Sequence, residues 1–425
     1  MSRQAFLGAS LFILAGTPLG LAGVAMAEEN GFKFDVSGFL DVSLFNNDQD
    51  TSGFADTDQE GLGALGNGKL QLRGTYLTDG GWELGVRTEL RLQSGEQSNS
   101  TSGADDWFQA EKIYIWAESG LGRLELGAQD GAAKQAQAAP PSITKSMRID
   151  NPLMMPVADG EGAYYRPAGL MLRSDSYASD QSLKIVYRSP RLFGLQLSLS
   201  YTPEFSANLE RFVKTAATDF NQQSDIFEAG LNYDTNLDDV RVRASLTYLT
   251  ASNEAESDTS STGSSPWQSG DLSEWSAALN LKMKGLSFGG AYRHSNARGG
   301  FVDHAPVVLT GGASDTEIWS FGALYEWDSW KIGANYVTGT ANVAVASLIG
   351  GFVDEQKGDG WQIGAAYQVD TDIQIAAGWQ SYDFDAGAAI NPGGLAQSFV
   401  FGAPGGTYAG DLTADILYTE VSFGF

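Results

Sequence analysis

The chain has 425 residues, with 52 Asp and Glu against 26 Lys and Arg, and it contains no cysteine. A net charge of −26 excludes nucleic acid as a partner, because a phosphate backbone is bound through concentrated positive charge. The missing thiols exclude disulfides and thiolate metal sites, while 52 glycines and 11% aromatic residues point to many strands and turns.

Residues 1–27 read as an export signal. Arg3 precedes an apolar run through Phe6, Leu7, Leu11, Phe12, Ile13 and Leu14, and Ala25-Met26-Ala27 supplies an A-x-A cleavage site before Glu28. Cleavage would remove one arginine and no acid, leaving residues 28–425 as the mature chain. No later window holds the ~18 consecutive apolar residues that a spanning helix needs. An exported chain without such a helix is periplasmic, secreted, or a barrel that crosses a membrane with strands.

From Phe32 onward the pattern alternates residue by residue, as transmembrane strands do. The expected spans are 32–46, 69–78, 81–93, 108–118, 122–129, 182–189, 194–202, 226–234, 240–250, 274–284, 286–294, 317–327, 330–339, 360–370, 372–381 and 412–425, an even sixteen. Short connections such as Gly285, Asp328-Ser329 and Thr371 alternate strictly with long ones, the arrangement of bacterial outer-membrane barrels. Aromatic residues mark both ends of most segments. Trp82, Tyr76, Trp116, Tyr325, Trp327, Trp330 and Tyr367 fall at the short-turn end, and Phe227, Tyr248, Trp275, Trp319 and Trp361 at the other, forming two belts at the membrane interfaces.

Two segments are irregular. In 108–118, Lys112 shares a face with Tyr114 and Trp116 while Ile113 and Ile115 lie opposite, so this strand is slipped, bulged or turned toward a neighbouring subunit. In 32–46, Phe39 and Phe45 fall on the face of Asp35 and Asp41.

The stretch 130–181 breaks the alternation. It holds Pro140, Pro141, Pro152, Pro156 and Pro167 with Met147, Met154, Met155 and Met171, too apolar for a solvated tail. A structureless connection this long inside a compact domain is functional or disordered. The reading is a loop that folds into the mouth of the barrel and narrows a water-filled hole.

The run from Lys184 through Tyr187-Arg188-Ser189-Pro190-Arg191-Leu192-Phe193-Gly194 to Tyr201-Thr202-Pro203-Glu204 is similar to the sixth strand, turn and seventh strand of general Gram-negative porins, nearest the alphaproteobacterial type. The C-terminal strand, with Val421, Phe423 and a terminal Phe on one face, resembles the signal read by the barrel-assembly machinery. The resemblance implies a 16-stranded antiparallel transmembrane β-barrel with a long inward-folded third loop. It also implies a homotrimer in the bacterial outer membrane, among lipid and lipopolysaccharide, passing small hydrophilic solutes by diffusion without a cofactor. In that family the third loop faces basic residues across a constriction. Its Pro-Glu-Phe-Gly type stretch is replaced here by Pro156-Val157-Ala158-Asp159-Gly160-Glu161, so Asp159 and Glu161 are the candidates for the acidic side.

On the water-facing parity the second and third segments present Lys69, Gln71, Arg73, Arg87, Glu89 and Arg91. Arg73, Arg87 and Arg91 are the candidates for the basic side of the narrowest zone, against the plainer reading that they are paired structural charges. The same parity gives Arg123, Lys184, Arg188, Arg241, Arg243 and Arg293, with Arg241 and Arg243 at the inner vestibule. The outer loops are acidic: 46–68 and 251–272 carry no Lys or Arg. A negative mouth concentrates cations, a preference opposed by the basic wall deeper in.

Asp48-Gln49-Asp50 opens like an EF-hand loop, but the twelfth position is Gln59 and the bidentate Glu is missing. Asp48 and Asp50 remain candidates for a looser calcium site or for divalent bridging to lipopolysaccharide phosphates, beside the simpler reading of a solvated acidic loop. An enzyme is not indicated: there is no HExxH, and the two histidines are His294 and His304. A barrel phospholipase would need a serine beside His294 on the outer face. The alternative to general diffusion is a substrate-selective channel on the same barrel, with Tyr164, Tyr165 and Tyr177 of the long loop as contacts, and a lumen-blocked structural barrel is the third reading.

Overall fold

The computed structural model describes residues 26–29, 31–52, 59–94, 108–151, 156–157, 172–176, 179, 181–204, 223–253, 271–296, 313–345, 352–385 and 411–425. A short strand β1, Met26–Glu29, pairs with the start of β2. Sixteen further strands follow: β2 Phe32–Ser52, β3 Gln59–Leu77, β4 Glu83–Ser94, β5 Phe108–Ser119, β6 Gly122–Ala128, β7 Leu183–Arg188, β8 Leu195–Glu204, β9 Gln223–Leu237, β10 Val240–Asn253, β11 Leu272–Met283, β12 Leu286–Ser295, β13 Ala313–Trp327, β14 Trp330–Val345, β15 Phe352–Asp370, β16 Ile373–Asp385 and β17 Asp411–Gly424. One short helix, α1 Ala132–Ala136, lies between β6 and β7.

Strands β2 to β17 form a closed antiparallel ring in sequence order. The seam joins β17 to β2, from Asp411 opposite Ser52 to Gly424 opposite Phe39. Two backbone bonds between Phe425 and Gly38, at 2.9 and 3.1 Å, carry it to the last residue. Closure pairs every strand on both sides, the condition for a sheet to cross hydrocarbon. Each of the sixteen expected spans overlaps one of these strands, and β2, β3, β14 and β15 run further at the long-connection end. At one end the links are tight: Asp238, Lys284, Gly285 and Asp328 have φ of 51, 46, 84 and 48°, the left-handed geometry of two-residue hairpin turns.

Burial alternates along each strand as expected. In β17, Leu417, Val421 and Phe423 are exposed while Tyr418, Glu420 and Ser422 are buried. In β15, Trp361, Ile363 and Tyr367 are exposed and Gln362 is buried. Large apolar side chains therefore face outward, where lipid replaces water, and polar ones face in. Exposed rings stand at both strand ends: Tyr76, Trp82, Tyr325, Trp327 and Trp330 at the short turns, Tyr248, Trp275, Trp319 and Trp361 at the other.

Two expectations are corrected and one is narrowed. Trp116 is not a belt residue, because it is 4% exposed and on the inner face with Tyr114. The irregularity of β5 is a bulge: the register with β4 shifts between Glu89 and Leu90, and Glu111 and Lys112 both reach inner-face charges. The other correction concerns 46–68, which is not one acidic loop. β2 continues to Ser52 and β3 begins at Gln59, so Asp48 and Asp50 sit in extended strand, with Asp48 opposite Glu60 and Asp415, and both are exposed on the outward parity. Among the described residues no group of three or more His, Asp or Glu is arranged to hold a metal ion.

Candidate functional site

The inner face of the ring has two chemically different walls. Along β8 to β17 the inward positions are mostly amides and hydroxyls, with three buried carboxylates, Glu228, Glu274 and Glu420, and they hold the segment that follows β6. Helix α1 is fixed first: the Ala132 N–H donates to Ser200 Oγ at 2.9 Å and the Ala133 N–H to Glu228 Oε2 at 2.8 Å. The chain then moves round the wall. Asn232 donates to the Ala136 carbonyl at 2.8 Å, Asn280 to Ala139 at 3.1 Å, Asn335 to Pro141 at 2.6 Å and Gln374 to Ile143 at 3.1 Å. Next come three consecutive N–H groups, Lys145, Ser146 and Met147, on the carboxylate of Glu420 at 2.8, 3.1 and 2.8 Å. Gln362 and Gln380 both donate to the Met147 carbonyl at 2.8 Å.

This strap has almost no backbone ladder of its own. Side-chain amides and carboxylates of the barrel supply the partners that its buried N–H and C=O groups require. Apolar contacts add to them: Met147, Ile149, Val157 and Leu172 pack with Ile318, Val337, Tyr382, Leu412, Ile416 and Tyr418, with Phe45 at the edge. That packing explains why Phe45 shares a face with Asp41. At Gly230 a Cβ would meet the Ala132 carbonyl and the Ala136 side chain, so the close approach of α1 needs glycine there. Gly230→Ala is expected to push α1 off β9, read as faster hydrogen exchange at the Ala132 and Ala133 amides.

Two Arg-x-Asp pairs stiffen the strap. Arg148 grips Asp150 with two bonds of 2.9 Å, and Arg173 grips Asp175 in the same way. Burial pushes the Asp175 carboxyl up, but Arg173 outweighs it and brings the value down to about 2. Burial likewise opposes Lys134 and Lys112 at Asp130, and the two lysines hold that carboxyl well below the usual range. A depressed carboxyl contributes stability that is complete above its unfolded value of about 4 and is lost as pH falls through the folded one. The strap is therefore expected to resist proteolysis down to about pH 4 and to loosen as pH approaches about 2; cleavage already rapid near pH 5 would contradict this.

Along β3 to β7 the inner face is charged. Arg73 meets Glu83 at 3.1 Å, Lys69 meets Glu111 at 2.6 Å, and Arg91 lies 3.8 Å from Glu111. Arg87 pairs with Glu89. Lys112 bridges Glu89 at 3.3 Å and Asp130 at 2.7 Å. Buried Glu125 takes both Arg123 and Arg188 at 2.6 Å. Between this wall and α1 lies a cavity of about 320 Å³, whose lining carries five cations (Arg73, Arg87, Lys112, Arg123, Arg188) and three carboxylates (Glu89, Glu125, Asp130). The net excess is positive.

Of the residues expected to form the site, Arg73 and Arg87 are cross-strand partners and both line this cavity. Arg91 sits beyond it, opposite Lys69. Asp159, Glu161, Tyr164, Tyr165 and Tyr177 lie outside the described residues, as do His304 and residues 1–25. Arg241 and Arg243 share Asp234 near a short turn, and Arg293 is buried against Glu274. His294 stacks on Trp275 and is flanked in register by Trp275 and Glu317. Sequence reasoning missed Glu125, Glu228 and Glu420, although each stands on the inward parity of its strand.

A family model described as Gram-negative porin matches residues 10–387. No curated protein matches by sequence. Among solved structures, the chain is similar to OmpF of Salmonella typhi in complex with daunomycin, at 13% identity and a TM-score of 0.54, covering 93% of this chain and 98% of that one. It is also similar to the anion-selective porin of Comamonas acidovorans, at 13% and 0.54, covering 93% and 100%. The trimer form of OmpT from Vibrio cholerae matches at 12% and 0.53, covering 93% and 100%. At these identities the structures share the fold, whereas the family match spans most of the sequence. With a closed sixteen-stranded ring, apolar outside and charged within, the chain belongs to the Gram-negative porin family, the channel-forming barrels of the outer membrane.

Proposed function

We propose that the protein is a general diffusion porin, a passive water-filled channel for ions and small hydrophilic solutes, filtered by size and charge where the segment 130–181 narrows the bore. One observation carries this reading. The described part of that segment is bonded chiefly to the β8 to β17 wall, and although Asp130, Gln135 and Gln181 reach the charged β3 to β7 wall, a cavity remains along it. Arg73, Arg87 and Arg91 form the basic side of the filter, and Asp159 and Glu161 are proposed for its acidic side. Fixed charge beside a narrow aqueous path orients polar solutes and discriminates ions by sign. The acidic outer stretches favour cations at low salt, the basic wall opposes them, and a weak cation preference is the expected balance.

The functional unit proposed is a homotrimer, as the trimer form of the Vibrio cholerae protein supports by its likeness in fold, delivered to the outer membrane by cleavage of residues 1–27. Purified protein in planar bilayers tests the function. Ohmic steps that scale with salt concentration, with no saturable block by any one solute, are expected. Saturable block would support a substrate-selective channel instead, and silence a lumen-blocked barrel.

A further inference from the structure

We infer that Trp116 is a positioning residue for ion selectivity, holding two arginines of the charged wall in fixed orientation at the short-turn end of the bore. The inference rests on the channel reading above. Trp116 comes from β5 but points inward, where an indole has no lipid to meet. Its ring lies between two guanidinium groups: Arg123 is 4.2 Å and Arg73 5.2 Å from the ring centroid. Its Nε1–H donates to Glu83 Oε1 at 3.1 Å, the same oxygen that accepts Arg73 Nη2 at 3.1 Å. β4 makes room for the ring with Gly85, directly opposite Trp116, where a Cβ would overlap the indole.

A guanidinium stacked on an indole is held by the ring quadrupole while its other face stays free for water. Arg73 and Arg123 are long side chains that would otherwise sample many rotamers. Glu83 and Glu125 each hold one of these arginines by a carboxylate oxygen, and Trp116 adds a flat contact that orients the guanidinium planes without adding any charge itself. A wall whose selectivity depends on charge number alone would not respond to its replacement.

The test is the ratio of cation to anion permeability, from the reversal potential in a potassium chloride gradient, for wild type, Trp116→Leu, Trp116→Phe and Gly85→Ala. Trp116→Leu is expected to raise the ratio about twofold as the two arginines lose their fixed posture. Trp116→Phe keeps a π-face and should restore most of the wild-type value. Gly85→Ala displaces the ring with its chemistry intact and should move the ratio in the same direction as Trp116→Leu, which serves if the leucine variant does not assemble. A conducting wild type with an unchanged ratio in every variant that assembles overturns the inference while leaving the channel reading standing. A wild type that does not conduct overturns the channel reading itself.

Discussion

Glu420→Ala is expected to detach the strap from β17 and produce a wider, noisier channel. The carboxylate accepts three consecutive backbone N–H groups, and Glu420 is fully buried. Without it those donors face a cavity, and an unmade buried hydrogen bond costs roughly 1–3 kcal/mol each. Allowing for relaxation, a loss of ~3 kcal/mol in local anchoring is a reasonable size. That corresponds to about a hundredfold faster exchange of the Lys145 to Met147 amides, if they exchange by local opening. Glu420→Gln retains one carbonyl acceptor and should show a smaller effect. The barrel itself should survive both changes, since its closure rests on backbone pairing between β17 and β2. Amide exchange measured by mass spectrometry separates the outcomes: acceleration confined to the strap supports the anchoring role, and uniform acceleration across β16 and β17 contradicts it.

The second large effect is expected at Glu125. This side chain is 1% exposed and is the shared partner of Arg123 and Arg188, each at 2.6 Å. Breaking a buried pair by removing one partner costs about 3–5 kcal/mol, because the remaining charge is left uncompensated. Here Arg188 loses its carboxylate partner and Arg123 keeps Glu118 at 3.3 Å, so Glu125→Ala should lower thermal stability. In the molecules that do assemble, the cavity lining loses one of its three carboxylates while keeping five cations, and permeability should move toward anions. Glu125→Gln removes the charge but not the bulk and should give the selectivity change with less loss of stability. Equal ion permeability in wild type and Glu125→Gln would show that this wall does not face the conducting path.

The strand count and facing were legible because period-two alternation maps directly onto the two sides of a barrel wall. Lipid demands apolar residues at every second position, and Trp361, Ile363 and Tyr367 obey it. The signal fades where strands leave the membrane. Asp48 and Asp50 face outward like Leu40 and Val42, yet they do not read as barrel surface, since that part of β2 resembles a solvated loop in composition. Gly61, Gly63, Gly66 and Gly68 hide the matching part of β3 in the same way. Arg73 and Arg87 were found by parity because charge on a lumen-facing position is conspicuous.

The anchoring residues were less visible for a physical reason. Asn232, Asn280, Asn335, Gln362, Gln374 and Gln380 look like ordinary water-facing polar residues, yet each is tied to a strap carbonyl. An amide both donates and accepts, so a wall rich in Asn and Gln can replace a missing backbone ladder. The contrast between that wall and the charged one is present in the sequence. Its meaning depends on which strands the strap visits, and this is set by contacts between residues more than 200 positions apart, such as Met147 and Gln362.

The central claim is that solutes travel along the β3 to β7 wall while the strap fills the opposite side. The chain has no cysteine, so single substitutions can be labelled without background. Arg188→Cys and Val337→Cys, each exposed to a membrane-impermeant cationic thiol reagent during single-channel recording, provide the most direct measurement. Current through Arg188→Cys should change in discrete steps as the reagent reacts, and current through Val337→Cys, buried beneath the strap, should not change. Rapid modification at position 337 with none at 188 would place the water on the wrong side of the barrel and contradict the account.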